Sequence, residues 1–148
     1  MSYITYEVRV YDDGGKVWFQ NGQLHRTDGP AIECVDGYKE WHLEGHLHRT
    51  DGPAIEGTNG TKSWYQNGQL HRTDGPAVEY ADGSKEWHQN GKRHRTDGPA
   101  IEYADGDKFW YLEGQELTEA EFNAKSKPSF EVKVVEIDGK KYTLAEIV

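Results

Sequence analysis

The stretch that decides the fold runs from Trp64 to Ala77 and reads Trp-Tyr-Gln-Asn-Gly-Gln-Leu-His-Arg-Thr-Asp-Gly-Pro-Ala. Its tryptophan recurs every 23 residues, at Trp18, Trp41, Trp64, Trp87 and Trp110. Its last seven residues recur at the same interval, beginning at His25, His48, His71 and His94. A fixed period of this length is typical of a repeat protein, in which each unit packs on the next.

Each period divides into two strands and two connections. In the last copy, residues 100–104 have a strand pattern, Asp105-Gly106 signals a two-residue hairpin turn, and residues 107–112 are the return strand. Residues 90–99 are rich in turn formers and are predicted to be a loop. A third strand from Lys92 to Arg95 is disfavoured, because an odd number of strands would reverse the chain direction at every repeat. The sequence therefore predicts an all-β repeat fold, a single-layer antiparallel meander sheet of consecutive hairpins.

The predicted two-residue turn determines which side chains share a face of this sheet. It places Ile101 opposite Trp110, and the equivalent pairs give one face a ladder of tryptophans and β-branched residues. The other face then carries Glu33 opposite Glu40, a like-charge pair that is tolerated only if the face is solvated or if nearby arginines neutralise it. The tryptophan ladder is either core, shielded by Leu24, Leu47 and Leu70 folding in from the loops, or an interface. Because a single sheet does not cover its own apolar face, the sequence predicts self-association as a two-fold dimer.

Both ends of the chain depart from the repeat. Residues 1–12 are predicted to be an N-terminal capping strand, residues 13–116 to be the repeats, and residues 117–148 to be a C-terminal cap. Within that cap, Thr118-Glu-Ala-Glu121 is a capping-box pattern that predicts a short helix to about residue 125. A hairpin follows, with strands over residues 130–137 and 141–147.

Composition excludes several classes of protein. The 148 residues include 17 Lys and Arg against 26 Asp and Glu, a net charge of −9, which argues against binding to nucleic acid or to an anionic membrane. The chain has no long apolar run and no signal-peptide pattern at its start, and Cys34 is its one cysteine. These features predict a soluble protein of a reducing compartment, the cytoplasm. Cys34 is interpreted as a packing variant, not a nucleophile.

Residues 90–94, Asn-Gly-Lys-Arg-His, and residues 103–108, Tyr-Ala-Asp-Gly-Asp-Lys, resemble the MORN repeat (membrane occupation and recognition nexus). The resemblance covers residues 13–114. The His-Gly-x-Gly of that family is replaced here by His-Arg-Thr-Asp-Gly-Pro, which resembles a variant found in proteins of large DNA phages and giant viruses, as does the closing segment Leu117 to Phe122. The resemblance implies scaffolding, dimerisation and in some members lipid contact, the last of which the acidic charge argues against.

The four His-Arg-Thr-Asp segments are the candidate binding residues. Equivalent loops two strands apart in a sheet lie about 9.6 Å from one another, and we expect them to align along one edge. One interpretation is structural: Arg72 pairs with Asp51 or Asp97 of a neighbouring loop. The other is that the arginines keep donors for carboxylates or phosphates of a partner. The full candidate set is His25, Arg26, Asp28, His48, Arg49, Asp51, His71, Arg72, Asp74, His94, Arg95 and Asp97.

The repeat itself argues against catalysis, because a ladder presents one environment four times and not a constellation of different groups. A spacing near 9.6 Å also keeps the four histidines from converging on one metal ion. We therefore expect no catalytic residues, no metal and no cofactor.

Three functions remain open. The first hypothesis is a non-enzymatic protein-binding module, in line with the resemblance an accessory phage protein that inhibits or sequesters a host defence component in the host cytoplasm. The second is a protein that sequesters a small ligand, a nucleotide or a sugar. The third is an acidic mimic of nucleic acid that uses the row Glu33, Glu56, Glu79 and Glu102.

Overall fold

The structure, a computed structural model, describes residues 5–126 and 130–147. Residues 1–4, 127–129 and 148, which belong to the predicted caps, lie outside the described residues. In chain order the elements are β1 (Glu7–Val10), β2 (Lys16–Gln20), β3 (Gln23–Leu24), β4 (Ile32–Glu33), β5 (Lys39–Glu40), β6 (His42–Leu43), β7 (His46–Leu47), β8 (Ile55–Glu56), β9 (Lys62–Ser63), β10 (Tyr65–Gln66), β11 (Gln69–Leu70), β12 (Val78–Glu79), β13 (Lys85–Glu86), β14 (His88–Gln89), β15 (Lys92–Arg93), β16 (Ile101–Glu102), β17 (Lys108–Leu112), β18 (Gln115–Leu117), α1 (Glu119–Ser126), β19 (Phe130–Ile137) and β20 (Lys140–Ile147).

Most of these strands belong to one long antiparallel sheet that begins with β1 and ends with β18. Successive hairpins lie side by side in chain order, without crossovers. The predicted class is confirmed: a meander of consecutive antiparallel hairpins, followed by one short helix and a C-terminal hairpin.

On one side of a tryptophan strand, the antiparallel neighbour is divided into two short strands. On β2, the residues before Trp18 pair with β4 and the residues after it pair with β3. Trp18 accepts a hydrogen bond from the N–H of His25 and donates its own N–H to the carbonyl of Ala31. Residues 26–30 therefore leave the sheet opposite Trp18 and return at the same place. The pattern repeats at Trp41, Trp64 and Trp87. We call the four excursions, residues 26–30, 49–53, 72–76 and 95–99, the arginine loops.

The first part of each predicted ten-residue loop is in fact a strand. In the fourth repeat this strand is β15, which pairs with β14 across the two-residue turn Asn90-Gly91. The argument against a third strand fails, because β15 and β16 run in the same direction along one tryptophan strand. They are two halves of one interrupted strand. Each repeat therefore still contains an even number of strand directions, and every repeat begins in the same direction.

The Asp-Gly turns are one residue longer than the sequence predicts. Tyr103 donates its N–H to the carbonyl of Asp107, so three residues form the connection, and the turn glycine has a φ of 102°. A three-residue hairpin that ends in a left-handed glycine is a common alternative to the two-residue turn. The predicted register is consequently wrong by one residue: Ile101 lies opposite Phe109, not Trp110.

This shift rearranges both faces of the sheet. Ile32 lies opposite Glu40 and Glu33 lies opposite Lys39, so neither the predicted tryptophan–isoleucine ladder nor the like-charge pair forms. Because side chains alternate along a strand, the tryptophans share a face with the rows of Glu33 and Lys39, which we call the loop face. The isoleucines and valines, predicted to share the tryptophan face, lie instead on the opposite face, where Val78 and Ile101 are buried.

The most deeply buried residues are the alanines at which the arginine loops rejoin the sheet. Ala31, Ala54, Ala77 and Ala100 have no exposed surface, whereas all five tryptophans are only partly buried. The core of the loop face thus consists of small residues beside each tryptophan, with the loops above them.

The C-terminal elements follow the predicted pattern. Glu121 accepts hydrogen bonds from both the N–H and the hydroxyl of Thr118, and the Thr118 hydroxyl accepts the N–H of Glu121. This capping box begins α1, whose Phe122 is buried and which packs on β17 and β18. The Asp138-Gly139 turn joins β19 to β20. Within the described residues, no helix is long and apolar enough to cross a membrane.

Candidate functional site

The arginine loops lie over the tryptophan column and not along an edge of the sheet. Each loop leaves and rejoins the sheet opposite the same tryptophan, near the middle of the strands. The two borders of the sheet at which the strands end are formed instead by turns. Asn-Gly or Glu-Gly turns lie along one border, and the three-residue turns that end in Asp-Gly or Asn-Gly lie along the other. The predicted edge position is therefore wrong, because the loop interrupts a strand and does not connect the ends of two strands.

The arginine of each loop lies on the tryptophan beneath it. The Cζ atom of Arg72 is 4.0 Å from the centre of the Trp64 ring, and the other three pairs are 3.9–4.0 Å apart. On its other side the guanidinium contacts the loop glycine: a Cβ atom built on Gly75 would lie 2.9 Å from the Arg72 Cζ. The guanidinium is thus held between an aromatic ring and a backbone. The glycine of His-Arg-Thr-Asp-Gly-Pro permits this close approach, because a Cβ atom there would push the guanidinium aside.

Hydrogen bonds fix the guanidinium within its own repeat. Arg72 donates from Nε to Asp74 at 2.8 Å, and from Nη1 to the Pro76 carbonyl at 3.1 Å and to Glu79 at 3.0 Å. The same three bonds form at Arg26, Arg49 and Arg95. The predicted pairing of Arg72 with Asp51 or Asp97 is wrong, because the side chain folds under its own loop.

The loop aspartates and threonines face outward. The Asp side chains are 75–82% exposed, whereas the Arg side chains are 18–22% exposed. The arginine hydrogen bond lowers the pKa of each aspartate, so all four remain ionised at neutral pH. Among the predicted binding residues, the solvent-exposed ones are therefore Asp28, Asp51, Asp74 and Asp97. The largely buried ones are Arg26, Arg49, Arg72 and Arg95.

The histidine before each loop joins neighbouring repeats. The Nδ1 atom of His71 accepts the N–H of Asn90 at 3.1 Å, and His25, His48 and His94 accept the N–H of Glu44, Asn67 and Glu113. The residues that donate these N–H groups are the first positions of left-handed two-residue turns, with φ of 50–51°. Each histidine therefore stabilises the turn of the following repeat. Among the described residues, no three His, Cys, Asp or Glu side chains are grouped to hold a metal ion.

Three equivalent clefts separate the four loops. The first, of about 470 Å³, has Trp41 and Leu43 at its base and residues 26–29 and 48–51 as its walls. The next two have volumes of about 410 and 390 Å³ and equivalent walls one and two periods later, with Gln66 and Gln89 in place of Leu43. Every cleft therefore has an exposed aspartate on each wall and a tryptophan at its base.

A second group of polar residues lies on the face opposite the loops, and the predictions do not include it. His42 Nε2 lies 2.6 Å from a Glu40 carboxylate oxygen, and His88 Nε2 lies 2.9 Å from Glu86. Within the described part of the chain, the buried Nδ1 atoms of both histidines have no hydrogen-bond partner. The sequence signal for these pairs is the tripeptide Glu-Trp-His, which occurs in alternate repeats.

A tyrosine completes each pair. Tyr38 donates its hydroxyl to Glu40, and Tyr80 donates its hydroxyl to Glu86 at 2.9 Å. Hydrogen bonds from His88 and then Tyr80 lower the pKa of Glu86 to about 2, while burial and that same bond raise the pKa of Tyr80 to about 12. At neutral pH Glu86 is therefore ionised and Tyr80 is neutral.

Cys34 occupies the position that Tyr80 has in its repeat, and its side chain is exposed. Desolvation and the nearby Asp36 raise the pKa of the thiol. A raised pKa disfavours the thiolate, which is the nucleophilic form.

The fold and the loop face together define a repeat protein, a meander of antiparallel β-hairpins with a stacked arginine–tryptophan unit in successive repeats. No protein-family model and no curated protein matches this chain.

Proposed function

We propose that this chain is a non-enzymatic protein-binding module and that its binding surface is the loop face. The observation that carries the proposal is the series of three equivalent clefts. A row of identical sites suits a partner that extends across several repeats, since each repeat then adds one contact of the same kind.

The chemistry of the clefts indicates a basic partner. Aspartates flank each cleft and are ionised, whereas the arginines are already engaged. A lysine or arginine of the partner would find an ionised carboxylate on either wall of each cleft. Successive clefts lie about 9.6 Å apart, and three residues of an extended or polyproline II peptide span about 9–10 Å. The partner segment we propose is extended and has a basic residue at every third position.

The resemblance to MORN repeats suggests in which biological context this binding takes place. A repeat array of this kind serves as a scaffold, and the His-Arg-Thr-Asp-Gly-Pro variant resembles sequences of large DNA phages and giant viruses. We therefore propose an accessory role in which the loop face captures and inhibits a host component, including a defence protein, in the host cytoplasm.

The test uses two labelled ten-residue peptides of equal composition, one with lysines at positions 1, 4 and 7 and one with three adjacent lysines. Fluorescence anisotropy should show at least tenfold tighter binding of the spaced peptide. Asp51→Lys with Asp74→Lys should abolish that binding. Asp107→Lys with Glu119→Lys changes the net charge equally, away from the loops, and should retain it. Equal binding of both peptides, or loss in the control variant, would assign the effect to net charge and contradict the proposal.

A second candidate is the capture of a small ligand, which the cleft volumes of about 390–470 Å³ favour because small-molecule sites commonly have this size. Native mass spectrometry of the purified protein with nucleotides and sugars would reveal bound ligand at up to three copies. The acidic-mimic hypothesis has less support, because Glu33, Glu56, Glu79 and Glu102 each accept a hydrogen bond from an arginine.

A further inference from the structure

The two ends of the long sheet differ. At the C-terminal end, α1 packs against β17 and β18. At the N-terminal end β1 is the last strand, and among the described residues its outer side has no strand partner. Val8 is 45% and Val10 65% exposed on this strand. An open edge with exposed valines is a template for pairing with another strand.

The hydrogen-bond pattern shows which residues of β1 face outward. Tyr11 donates its N–H to the carbonyl of Gly15, on the side of β2. In an antiparallel pair the backbone groups of alternate residues point to the same side, so Arg9 and Glu7 also face β2. The N–H and C=O groups of Val8 and Val10 consequently point away from the sheet and are available to a new strand.

The charges on β1 are self-complementary about Val8. Glu7 and Arg9 stand on either side of it, joined to each other by an exposed ion pair of 2.8 Å that a facing strand can exchange for pairs between copies; their side chains are 59% and 58% exposed. If two β1 strands pair antiparallel with Val8 opposite Val8, then Glu7 of each copy lies opposite Arg9 of the other. These two charge pairs fall at non-hydrogen-bonded positions, where opposite Cα atoms are only about 4.5 Å apart. Centring the pair on Val10 would instead place Glu7 opposite Asp13.

We propose that a second copy of this chain docks on β1, with a two-fold axis at Val8, and joins the two sheets into one. This site differs from the tryptophan face that the sequence predicts for self-association. The loop-face tryptophans are covered by arginines, whereas the β1 edge is exposed and complementary to itself. A two-fold axis normal to the sheet leaves the arginine loops of both copies on the same side, so the dimer presents eight loops in one surface.

Sedimentation velocity over 5–200 µM protein tests the charge pairs. The unmodified chain should form a dimer. Glu7→Arg and Arg9→Glu each place like charges opposite one another twice and should raise the dimer dissociation constant about tenfold or more. The double variant Glu7→Arg/Arg9→Glu restores opposite charges and should return to within threefold of the original. A monomer throughout this range, or single variants that dimerise normally, would overturn the proposal.

Cross-linking tests the register independently of dimer strength. In a Cys34→Ser background, Val8→Cys should form an intermolecular disulfide on mild oxidation, because Cα atoms of a hydrogen-bonded antiparallel pair are about 5.5 Å apart. Val10→Cys is the matched control, since its symmetry mate lies four residues further along the strand. Equal cross-linking of the two variants would contradict the axis at Val8, and circular dichroism of each variant verifies that the sheet is intact.

Discussion

The guanidinium of Arg72 lies on the ring of Trp64, 4.0 Å from its centre, and closes the core of the loop face at that repeat. The arginine therefore belongs to the packing of the protein, while its neighbour Asp74 is 81% exposed. This division separates the structural role of the arginine from the proposed binding role of the aspartate within one five-residue loop. Substitutions at the two residues should have different effects.

Arg72→Ala should lower the free energy of unfolding by about 2–4 kcal/mol, because it removes a cation–π contact, leaves the Glu79 carboxylate without its partner and exposes part of Trp64. This is more than the 1 kcal/mol or less expected of a surface ion pair. Arg72→Lys should recover less than half, since an ammonium does not reproduce the planar fork. Urea unfolding followed by tryptophan fluorescence measures both, and Asp74→Asn, at an exposed carboxylate, is the control and should leave the midpoint nearly unchanged.

Trp64→Ala should destabilise the protein by about 3–5 kcal/mol, as expected when a large aromatic side chain is removed from a packed site. The ring supports the Arg72 guanidinium, so the two substitutions should not be additive: the double variant should lose about 1 kcal/mol less than the sum. Thermal unfolding of the four proteins completes this cycle. Strict additivity would show that the stacking contact contributes nothing.

Gly75→Ala should cost about 1–3 kcal/mol, because the new Cβ would lie 2.9 Å from the Arg72 Cζ and would displace the guanidinium. The cost should nearly vanish in an Arg72→Ala background, where the clashing group is absent. Circular dichroism during thermal unfolding provides the comparison. An equal cost in both backgrounds would attribute the effect to the backbone.

His71→Ala should loosen the turn of the following repeat, because the N–H of Asn90 loses its acceptor. We expect the amide of residue 90 to exchange with deuterium about fivefold faster, in line with the loss of roughly 1 kcal/mol. His46→Ala is the control, since His46 is exposed on β7 and does not act as a turn acceptor in the described structure. Unchanged exchange at residue 90 would contradict the inter-repeat role.

Glu86→Gln should flatten the acid dependence of stability. The folded-state pKa of Glu86 is about 2, below its ordinary value of 4.5, so its ionised form stabilises the protein above pH 4.5 and this contribution is lost as the pH falls towards 2. The variant should lack a pH-dependent contribution of about 2–3 kcal/mol. Urea unfolding at intervals from pH 5 to pH 2 measures this slope. Glu44→Gln, on an exposed turn, should retain the original slope.

The period, the hairpin meander and the C-terminal helix and hairpin follow from the sequence because the signals for them are local. Each lies within a few residues: the Asp105-Gly106 turn, the capping box at Thr118 and the Asp138-Gly139 turn. Turn and cap chemistry acts through the backbone of neighbouring residues and needs no knowledge of distant contacts. The Arg, Asp and His positions are likewise evident from repetition alone.

The tertiary structure decided the register and the role of the arginines. Asp-Gly is compatible with turns of two or three residues, and the difference of one residue transfers every side chain of the following strand to the other face. The choice depends on pairing with both neighbouring strands. This pairing places a His and an Ala together opposite each of four tryptophans, Trp18, Trp41, Trp64 and Trp87, and forces the loop out above the ring. Arg72 finds Trp64 and Glu79 only in that arrangement. Its partners are therefore a property of the assembled sheet, because the contacts that hold it lie on three different strand segments.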